Sequence, residues 1–221
     1  MAYNVQKAAI LGSGVMGSGI AGLLASVGIR VVLLDVVPNT LTEEEKVKGI
    51  TKESPEFRNK LANAALERIT NPKTMMLYKK ENAALIKTGN LTDNMDLLTD
   101  CDWIIEVVVE NLDIKKQVMQ EVAKYRRPGS IVSTNTSGVS LHKIAEGMTK
   151  EFRQHFLGTH FFNPPRYMRL LEIITLEDTL PEVKEYMVNL AQNTLGKGVV
   201  FAKDTPNFIG NRIASMSSAE V

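Results

Sequence analysis

The sequence has few of the features that mark disulfide-bonded, membrane-bound or nucleic-acid-binding proteins. Cys101 is the only cysteine among 221 residues, which excludes an internal disulfide and a thiolate metal cluster, and we predict no metal site. No segment approaches the roughly 18 apolar residues that cross a bilayer, and the first residues lack the layout of a secretion signal. The net charge of +1 gives no reason to expect nucleic acid or an anionic membrane as a partner. We therefore expect a soluble, cytoplasmic protein.

What is present is an alternation of apolar runs with helical patterns. Residues 7–11 (KAAIL) and 30–34 (RVVLL) are typical of strands buried on both faces, and 15–27 between them favours a helix. Further strands are predicted at 85–91, 102–109, 130–134, 156–161, 170–175 and 198–202, and further helices at 57–70, 112–126, 141–148 and 181–195. The alternation predicts an α/β fold with a doubly wound, mainly parallel sheet of the Rossmann type.

Two segments depart from that alternation. Residues 38–84 are polar and helical without enrichment in glycine, serine or proline, and Thr42 with Glu45 has the spacing of a capping box, so we expect a helical insertion after the second strand. Asp204-Thr205-Pro206 combines N-cap residues with a proline suited to the first helical position. We expect a nucleotide-binding domain over 1–203, and over 204–221 the first helix of a truncated second domain.

A glycine-rich turn follows the first strand, where GSGVMG at 12–17 matches the pattern GxGxxG. Gly12 permits a tight turn, Gly14 lets the backbone approach a diphosphate, and Gly17 allows close helix–sheet packing. Asp35 lies about twenty residues further on, the spacing of an acid that binds the adenosine ribose. Its charge would repel a 2′-phosphate, so the pattern favours NAD over NADP. The alternative is a turn with a purely structural aspartate.

Polar side chains follow several of the predicted strands. Ligands of doubly wound sheets bind beyond the carboxyl ends of the strands, so we expect these side chains to converge on one crevice. They are Glu110 and Asn111 with Lys115 one turn later, the run Asn135 to Ser137, and His160 with Asn163.

Of the three histidines, His160 is the best candidate for a base that removes a proton from an alcohol. His142 lies on a charged helix and His155 precedes a strand, so we interpret both as surface or structural residues. Glu172 lies inside the apolar run 170–174, where a buried carboxylate needs a partner. We predict a Glu172–His160 pair; the alternative is a Glu172 that pairs with a structural lysine or arginine.

Six motifs together are more specific than the glycine turn alone. They are ILGSGVMGSGIA at 10–21, EVVVENLDIKK at 106–116, STNTSG at 133–138, GTHFFNPP at 158–165, LLEII at 170–174 and KDTPNFIGNR at 203–212. In order and spacing they resemble the 3-hydroxyacyl-CoA dehydrogenase family, including the dehydrogenase part of multifunctional fatty-oxidation proteins. The motifs cover nearly the whole chain outside the insertion.

The resemblance implies NAD-dependent oxidation of an L-3-hydroxyacyl-CoA to the 3-ketoacyl-CoA in fatty acid β-oxidation. The catalytic roles that it implies are His160 as general base, Glu172 as its orienting carboxylate, Ser137 as the contact to the substrate oxygen and Asn211 as the amide that binds the reacting group. The cofactor contacts that it implies are Glu110, Lys115, Ser137 and Asn163, with Met16 and Val109 lining the same groove.

The family also has a helical second domain that encloses the acyl chain and forms the dimer. This implies that the chain is part of a longer protein, a homo-oligomer or multienzyme complex when complete, and that the chain alone turns over little substrate. Lys60, Arg68 and Lys73 of the insertion either meet CoA phosphates or belong to a solvated helix face. Two other functions stay open: an NAD-dependent dehydrogenase of a small hydroxy acid, and a non-catalytic NAD-binding module.

Overall fold

The computed structural model describes residues 3–219, which form one eight-stranded sheet with helices on both faces. The strands are β1 (Lys7–Leu11), β2 (Arg30–Asp35), β3 (Ile86–Asn90), β4 (Trp103–Glu106), β5 (Ile131–Thr134), β6 (Phe156–Phe161), β7 (Leu170–Thr175) and β8 (Gly198–Ala202). The helices are α1 (Val15–Ser26), α2 (Glu43–Val47), α3 (Pro55–Arg58), α4 (Lys60–Thr70), α5 (Leu112–Tyr125), α6 (Leu141–Ile144), α7 (Lys150–Gln154), α8 (Pro181–Asn189) and α9 (Gly210–Ala219). The predicted fold class is confirmed.

The sheet has the strand order β3-β2-β1-β4-β5-β6-β7-β8, and every neighbouring pair is parallel except β6 with β7. The carboxyl ends of β1 to β6 therefore share one edge, which we call the carboxyl edge. The order of the strands reverses between β1 and β4. Ligands of such sheets bind in the crevice at this switch point.

Apolar layers cover both faces of the sheet. Along β2, Val31 and Leu33 pack with residues of α1 and α4, while Val32 and Leu34 pack with residues of α5 on the opposite face. All four side chains are at most 1% exposed. A strand enclosed on both sides cannot alternate between apolar and polar residues, which explains the continuous apolar runs in the sequence.

The segment between β2 and β3 is helical, as expected, and begins with the capping box at Thr42 and Glu45. The helix predicted over 57–70 is two helices instead. Pro55 starts α3, and Asn59 separates it from α4. The Asn59 side chain accepts a hydrogen bond from Asn90 at 2.7 Å, so the break is fixed from the end of β3.

The predictions for two element ends were wrong, and both ends lie at the carboxyl edge. The strand expected over 102–109 ends at Glu106, because the Val108 N–H donates to the Glu106 side chain at 2.7 Å instead of continuing the ladder. The last helix begins at Gly210 and not near Pro206. Asn207 and Phe208 have positive φ values of 63° and 46°, a conformation that a right-handed helix cannot contain.

Two smaller differences concern the helices. The helix expected over 141–148 ends at Ile144, and the separate helix α7 follows, which the sequence pattern did not predict. The helix expected over 181–195 consists of α8 and a π-helical turn at Leu190–Thr194. Across residues 3–219, no helix combines the length and apolar character needed to cross a bilayer.

Candidate active site

The glycine turn packs tightly on one side and is open on the other. Gly12 has a φ of 109°, and a Cβ there would lie 2.5 Å from the carbonyl oxygen of Val107. A Cβ at Gly17 would lie 1.9 Å from the Gly12 carbonyl oxygen, whereas one at Gly14 would meet nothing within 4 Å. Gly12 and Gly17 are therefore required by packing. Gly14, the N-cap of α1, borders free space in which a ligand can approach the backbone.

Asp35 ties the end of β2 to this turn. Its Oδ2 accepts hydrogen bonds from the backbone N–H of Ser13 at 2.7 Å and from the Ser13 hydroxyl, and its Oδ1 accepts one from the N–H of Val36 at 2.7 Å. The carboxylate is half-buried and lies beside the turn, as predicted from its spacing.

A residue of the insertion braces the same turn. The guanidinium of Arg68, on α4, donates to the carbonyl oxygen of Ser13 at 2.8 Å and to the Ser18 hydroxyl at 3.1 Å. Arg68 is exposed on α4 with its guanidinium bound to the turn, while Lys60 pairs with Glu45 at 2.6 Å. A contact of these cations with CoA phosphates stays a prediction.

The turn and β2 fit a dinucleotide. Residues 12–17 would hold the diphosphate, because the N-terminus of α1 presents unpaired N–H groups and a positive potential, and Gly14 leaves room for close approach. Asp35 would accept hydrogen bonds from the adenosine ribose. The next residues, Val36 and Val37, supply no cation to balance a 2′-phosphate.

A buried ion pair stands beside the turn, at the end of β4. Lys115 and Glu106 are at most 1% exposed, and the Lys115 ammonium lies 2.8 Å from the Glu106 carboxylate and 3.2 Å from that of Glu110. The second oxygen of Glu106 accepts from the Thr134 hydroxyl at 2.6 Å. The sequence analysis missed Glu106, although it shows the same signal as Glu172, a carboxylate within an apolar strand.

Glu110 fixes the loop after β5. Its Oε1 accepts hydrogen bonds from the Thr136 hydroxyl and from the N–H groups of Ser137 at 2.7 Å and Gly138 at 2.9 Å. Burial acts to raise the pKa of Glu110, but these donors and the Lys115 ammonium outweigh it and hold the pKa below its usual value. The carboxylate therefore stays charged and positions the backbone of Ser137.

His160 and Glu172 face each other across the antiparallel pair β6 and β7. Nδ1 of His160 lies 2.7 Å from Oε2 of Glu172, and both side chains are buried. Oε1 of Glu172 accepts from the N–H groups of Ile209 at 3.0 Å and Gly210 at 2.7 Å, at the start of α9. The alternative in which Glu172 pairs with a structural lysine or arginine is wrong for the described residues, because histidine and backbone N–H groups occupy both oxygens.

Two aromatic rings enclose the His160 imidazole. The ring centroid of Phe162 lies 4.5 Å from that of His160, and the centroid of Phe208 lies 5.6 Å away. The sequence analysis singled out neither residue, although the first belongs to the GTHFFNPP motif. The rings pack against the imidazole from two sides, and His160 is 4% exposed.

The other two histidines lie elsewhere. His142 is exposed, and its hydrogen bonds to Asp204 and Glu177 raise its pKa. His155 lies just before β6, at the opposite end of the strand from His160, and its Nδ1 is 2.8 Å from the carbonyl oxygen of Glu151. Their interpretation as surface and structural residues agrees with these positions.

The remaining predicted site residues line the same edge or its flanks. Ser137 belongs to the loop that Glu110 holds, and Asn211 is the second residue of α9. Asn163 follows β6, is exposed, and precedes a cis peptide bond to Pro164. Met16 packs partly against the core beneath α1, and Val109 is 63% exposed. Their contacts with substrate or cofactor stay predictions.

A buried lysine that the sequence analysis missed supports the turn after Asn163. Lys197 donates to the carbonyl oxygens of Pro165 and, at 2.7 Å, of Met168. Burial lowers the pKa of its ammonium group. Its signal in the sequence is weak, because a lone lysine before a strand is usually exposed.

Comparison with known proteins agrees with the fit of the glycine turn and Asp35 to a dinucleotide. Residues 7–205 match the family model described as "3-hydroxyacyl-CoA dehydrogenase, NAD binding domain". A Bacillus subtilis protein named as a 3-hydroxyacyl-CoA dehydrogenase is 54% identical over 97% of the chain and 27% of its own length. A Rickettsia felis protein named as a fatty acid oxidation complex trifunctional enzyme is 38% identical over 96% of the chain and 28% of its own length.

A solved structure agrees with these relatives. The (S)-3-hydroxybutyryl-CoA dehydrogenase PaaH1 from Ralstonia eutropha superposes with a TM-score of 0.73 at 29% identity, over 98% of this chain and 70% of that chain. The chain spans about a quarter of the length of the two curated relatives. With the glycine turn, Asp35 and the doubly wound sheet, these matches show that the chain belongs to the family of NAD-binding domains of 3-hydroxyacyl-CoA dehydrogenases, with NAD as its cofactor.

Proposed function

We propose that this chain carries the cofactor site and the general base of an enzyme that oxidises the 3-hydroxyl of an L-3-hydroxyacyl-CoA to the 3-ketone in fatty acid β-oxidation. The observation that carries the proposal is the buried pair of His160 and Glu172 at 2.7 Å. It lies at the carboxyl edge of the sheet, where the glycine turn would hold the dinucleotide. An imidazole balanced by a carboxylate suits removal of a hydroxyl proton.

The hydrogen bond fixes which ring nitrogen acts. A carboxylate only accepts, so Nδ1 of His160 carries the proton that is donated to Glu172, and Nε2 is the nitrogen that can accept the substrate proton. As the hydroxyl proton moves to Nε2, the imidazole becomes positive and Glu172 stabilises it. The hydrogen on C3 leaves with its two electrons, and NAD, when bound, supplies the hydride acceptor.

Ser137 and Asn211 complete the proposed set. Glu110 holds the loop that carries Ser137, and Glu172 binds the first turn of the helix that carries Asn211. In the proposed reaction Ser137 contacts the substrate oxygen, and Asn211 binds the reacting group. A module that only binds NAD has no need of a base, its carboxylate and these two polar residues, which disfavours the non-catalytic alternative.

The experiment that tests the base is a pair of histidine variants. We expect His160→Ala to lower the NADH-dependent reduction of acetoacetyl-CoA, the reverse of the proposed reaction, by about 10²–10⁴-fold, the usual contribution of a positioned base. NADH binding, measured by fluorescence titration, should be retained. His155→Gln, at the other end of the same strand, is the matched control. Normal turnover by the His160 variant would remove this residue from the mechanism.

The substrate class needs a separate test. Titration with NADH, NADPH and acetoacetyl-CoA measures cofactor choice and CoA binding together, and we expect NADH to bind more tightly than NADPH because of Asp35. Competition between acetoacetyl-CoA and free hydroxy acids distinguishes the main proposal from a dehydrogenase of small hydroxy acids. Turnover of only the free acids would favour that alternative.

The relatives suggest a larger assembly. Because the chain spans about a quarter of two curated relatives, we propose that it works as part of a homo-oligomer or multienzyme protein with a further domain over the substrate cleft. We expect little turnover from the 221 residues alone and more from a chain extended by about a hundred residues, a domain of ordinary size. Equal specific activity of the two would contradict this.

A further inference from the structure

The connection between β8 and α9, residues 203–209, is held at its start by a buried carboxylate. The side chain of Asp204 is 5% exposed and accepts from the Ser140 hydroxyl at 2.8 Å, from the N–H groups of Leu141 at 2.9 Å and His142 at 3.1 Å, and from the His142 ring at 2.6 Å. Asp204 thus caps α6 instead of the helix of its own segment. Its donors follow directly on the loop that carries Ser137.

The same connection is held at its end by Glu172. The N–H groups of Ile209 and Gly210 both donate to Glu172 Oε1, the oxygen that does not contact His160. Only four residues separate Asp204 from Ile209. A segment this short cannot move at one end without displacing the other.

The backbone between the two anchors is strained. Asn207 and Phe208 both have positive φ values, which non-glycine residues adopt only when their surroundings enforce it. The strain has a visible consequence: the Phe208 side chain is buried against the His160 ring. Next to it, a Cβ at Gly138 would lie 3.1 Å from the Asn207 side chain, so the connection also touches the Ser137 loop.

We propose that Asp204 is a positioning residue: by holding the connection against the Ser137 loop, it places Phe208 and the first turn of α9 against the His160–Glu172 pair. It touches neither His160 nor Glu172 and acts through the six residues that follow it. The expected effect on turnover rests on the proposed function, whereas the effect on the His160 ring does not.

The test compares Asp204→Ala and Asp204→Asn with Glu177→Gln. Glu177 is the other acidic partner of His142, is exposed, and lies outside the connection, so its variant is a matched loss of one carboxylate. The first readout is the set of ring ¹⁵N and ¹H chemical shifts of His160, with Glu172→Gln as the reference for a broken pair. The second is turnover of acetoacetyl-CoA by the extended chain, with the KM for NADH.

We expect the Asp204 variants to move the His160 ring shifts toward those of the Glu172 variant and to lower kcat by about tenfold to a hundredfold, the size of a small misplacement of reacting groups. The KM for NADH should change less than kcat, because the glycine turn that would hold the diphosphate is separate from the connection. The Glu177 variant should leave every readout as in the parent chain. Unchanged ring shifts in folded Asp204 variants would overturn the proposal.

A second variant covers the case in which both Asp204 variants fail to fold. Ser140→Ala with His142→Ala removes two side-chain donors and leaves Asp204 in place. We expect an intermediate change of the His160 shifts; unchanged shifts would overturn the proposal. Failure of the proposed function is recognised separately. If the parent chain and its extended form turn over no acyl-CoA while the ring shifts respond to Asp204, the function is wrong and the positioning role stands.

Discussion

Two fully buried carboxylates lie on strands near the carboxyl edge of the sheet, and their charges are balanced in different ways. Glu106, at the end of β4, pairs with the Lys115 ammonium at 2.8 Å and accepts from the Thr134 hydroxyl. Glu172, in β7, pairs with the His160 ring at 2.7 Å and accepts from two N–H groups of α9. The first has a permanent cation as its partner, the second a ring that can gain and lose a proton.

In the proposed function, this difference separates a pair that holds the scaffold from a pair that takes part in the chemistry. The Lys115 ammonium only donates hydrogen bonds, and its buried pair with Glu106 is suited to fix the loop from Val107 to Glu110. An imidazole has two ring nitrogens, so in the proposed function one is held by Glu172 while the other exchanges a proton with the substrate. The same residue type, buried on two strands, would therefore serve two purposes that its partner decides.

The largest expected effect breaks the permanent pair. Lys115→Met leaves the Glu106 charge buried without its cation, and we expect a loss of about 3–5 kcal/mol in the free energy of unfolding. Urea denaturation measures it. The double variant Glu106→Gln with Lys115→Met should recover most of the loss, because no unpaired charge remains. A single variant as stable as the parent would show that the pair does not hold the fold.

The next effect concerns the exchangeable pair. Glu172→Gln keeps the shape of the side chain but removes its charge. We expect the activation free energy to rise by about 1.5–3 kcal/mol, the worth of a hydrogen bond to a charged group. Turnover should therefore fall roughly tenfold to a hundredfold. Stability should fall less than in Lys115→Met, since the amide oxygen can still accept from α9. Steady-state kinetics and urea denaturation measure the two effects. A loss of stability with normal turnover would reverse the comparison.

Substitutions in the glycine turn test whether the part of the site that would hold the cofactor depends on close packing, whereas the two carboxylate pairs depend on charge. We expect Gly17→Ala to lower the free energy of unfolding by about 1–3 kcal/mol, because the new Cβ would lie 1.9 Å from the Gly12 carbonyl oxygen. Gly14→Ala has free space around its Cβ, so it should leave stability unchanged and weaken NADH binding. Denaturation and NADH titration on both variants measure this. Unchanged NADH affinity in Gly14→Ala would place the diphosphate elsewhere.

The smallest effect comes from the pair that the half-exposed His142 ring forms with the buried Asp204 carboxylate. The pKa of His142 is raised by Asp204 and Glu177, so its stabilising contribution is present below about pH 6.5 and is lost as the pH rises through the higher value of the folded state. The His142 side chain is half-exposed, which limits the contribution to less than about 1 kcal/mol. We expect the parent to melt at a higher temperature than His142→Gln at about pH 5.5, and the two melting temperatures to agree at about pH 8.5. A difference in melting temperature that grows as the pH rises would contradict the predicted direction of the effect.

The pKa of Asp204 is shifted in the opposite direction from that of His142. Burial tends to raise its pKa, but hydrogen bonds from the His142 ring, from two backbone N–H groups and from the Ser140 hydroxyl hold the pKa below its usual value. Its contribution is therefore lost at acidic pH, as the pH falls through the lowered value. The Asp204 contribution is lost at low pH and the His142 contribution at high pH. The two effects on stability can therefore be measured separately.

Most of the fold was predictable from local patterns. The strand at 170–175 and the glycine turn were placed correctly because a buried strand must be apolar on both faces and a tight turn needs glycine. The strand at 198–202 was also placed correctly, although as the edge strand of the sheet it is largely exposed. The pairing of His160 with Glu172 was also predictable, since a carboxylate in an apolar strand needs a partner. Glu106 is also a carboxylate in an apolar strand, but its partner was not predicted. That partner, Lys115, lies on the following helix and not on a neighbouring strand.

By itself the sequence determined the order of strands and helices, the glycine turn, and a histidine and a carboxylate able to meet at one edge, because those features depend on residues close together in the chain or on burial alone. Only the tertiary structure decided where α9 begins, which helix Asp204 caps, and which aromatic ring covers His160. Asp204-Thr205-Pro206 has the pattern of a helix start. Long-range partners decide the outcome: the first turn of α6 donates to the Asp204 carboxylate, and Glu172 accepts from the N–H groups of Ile209 and Gly210, where the helix begins.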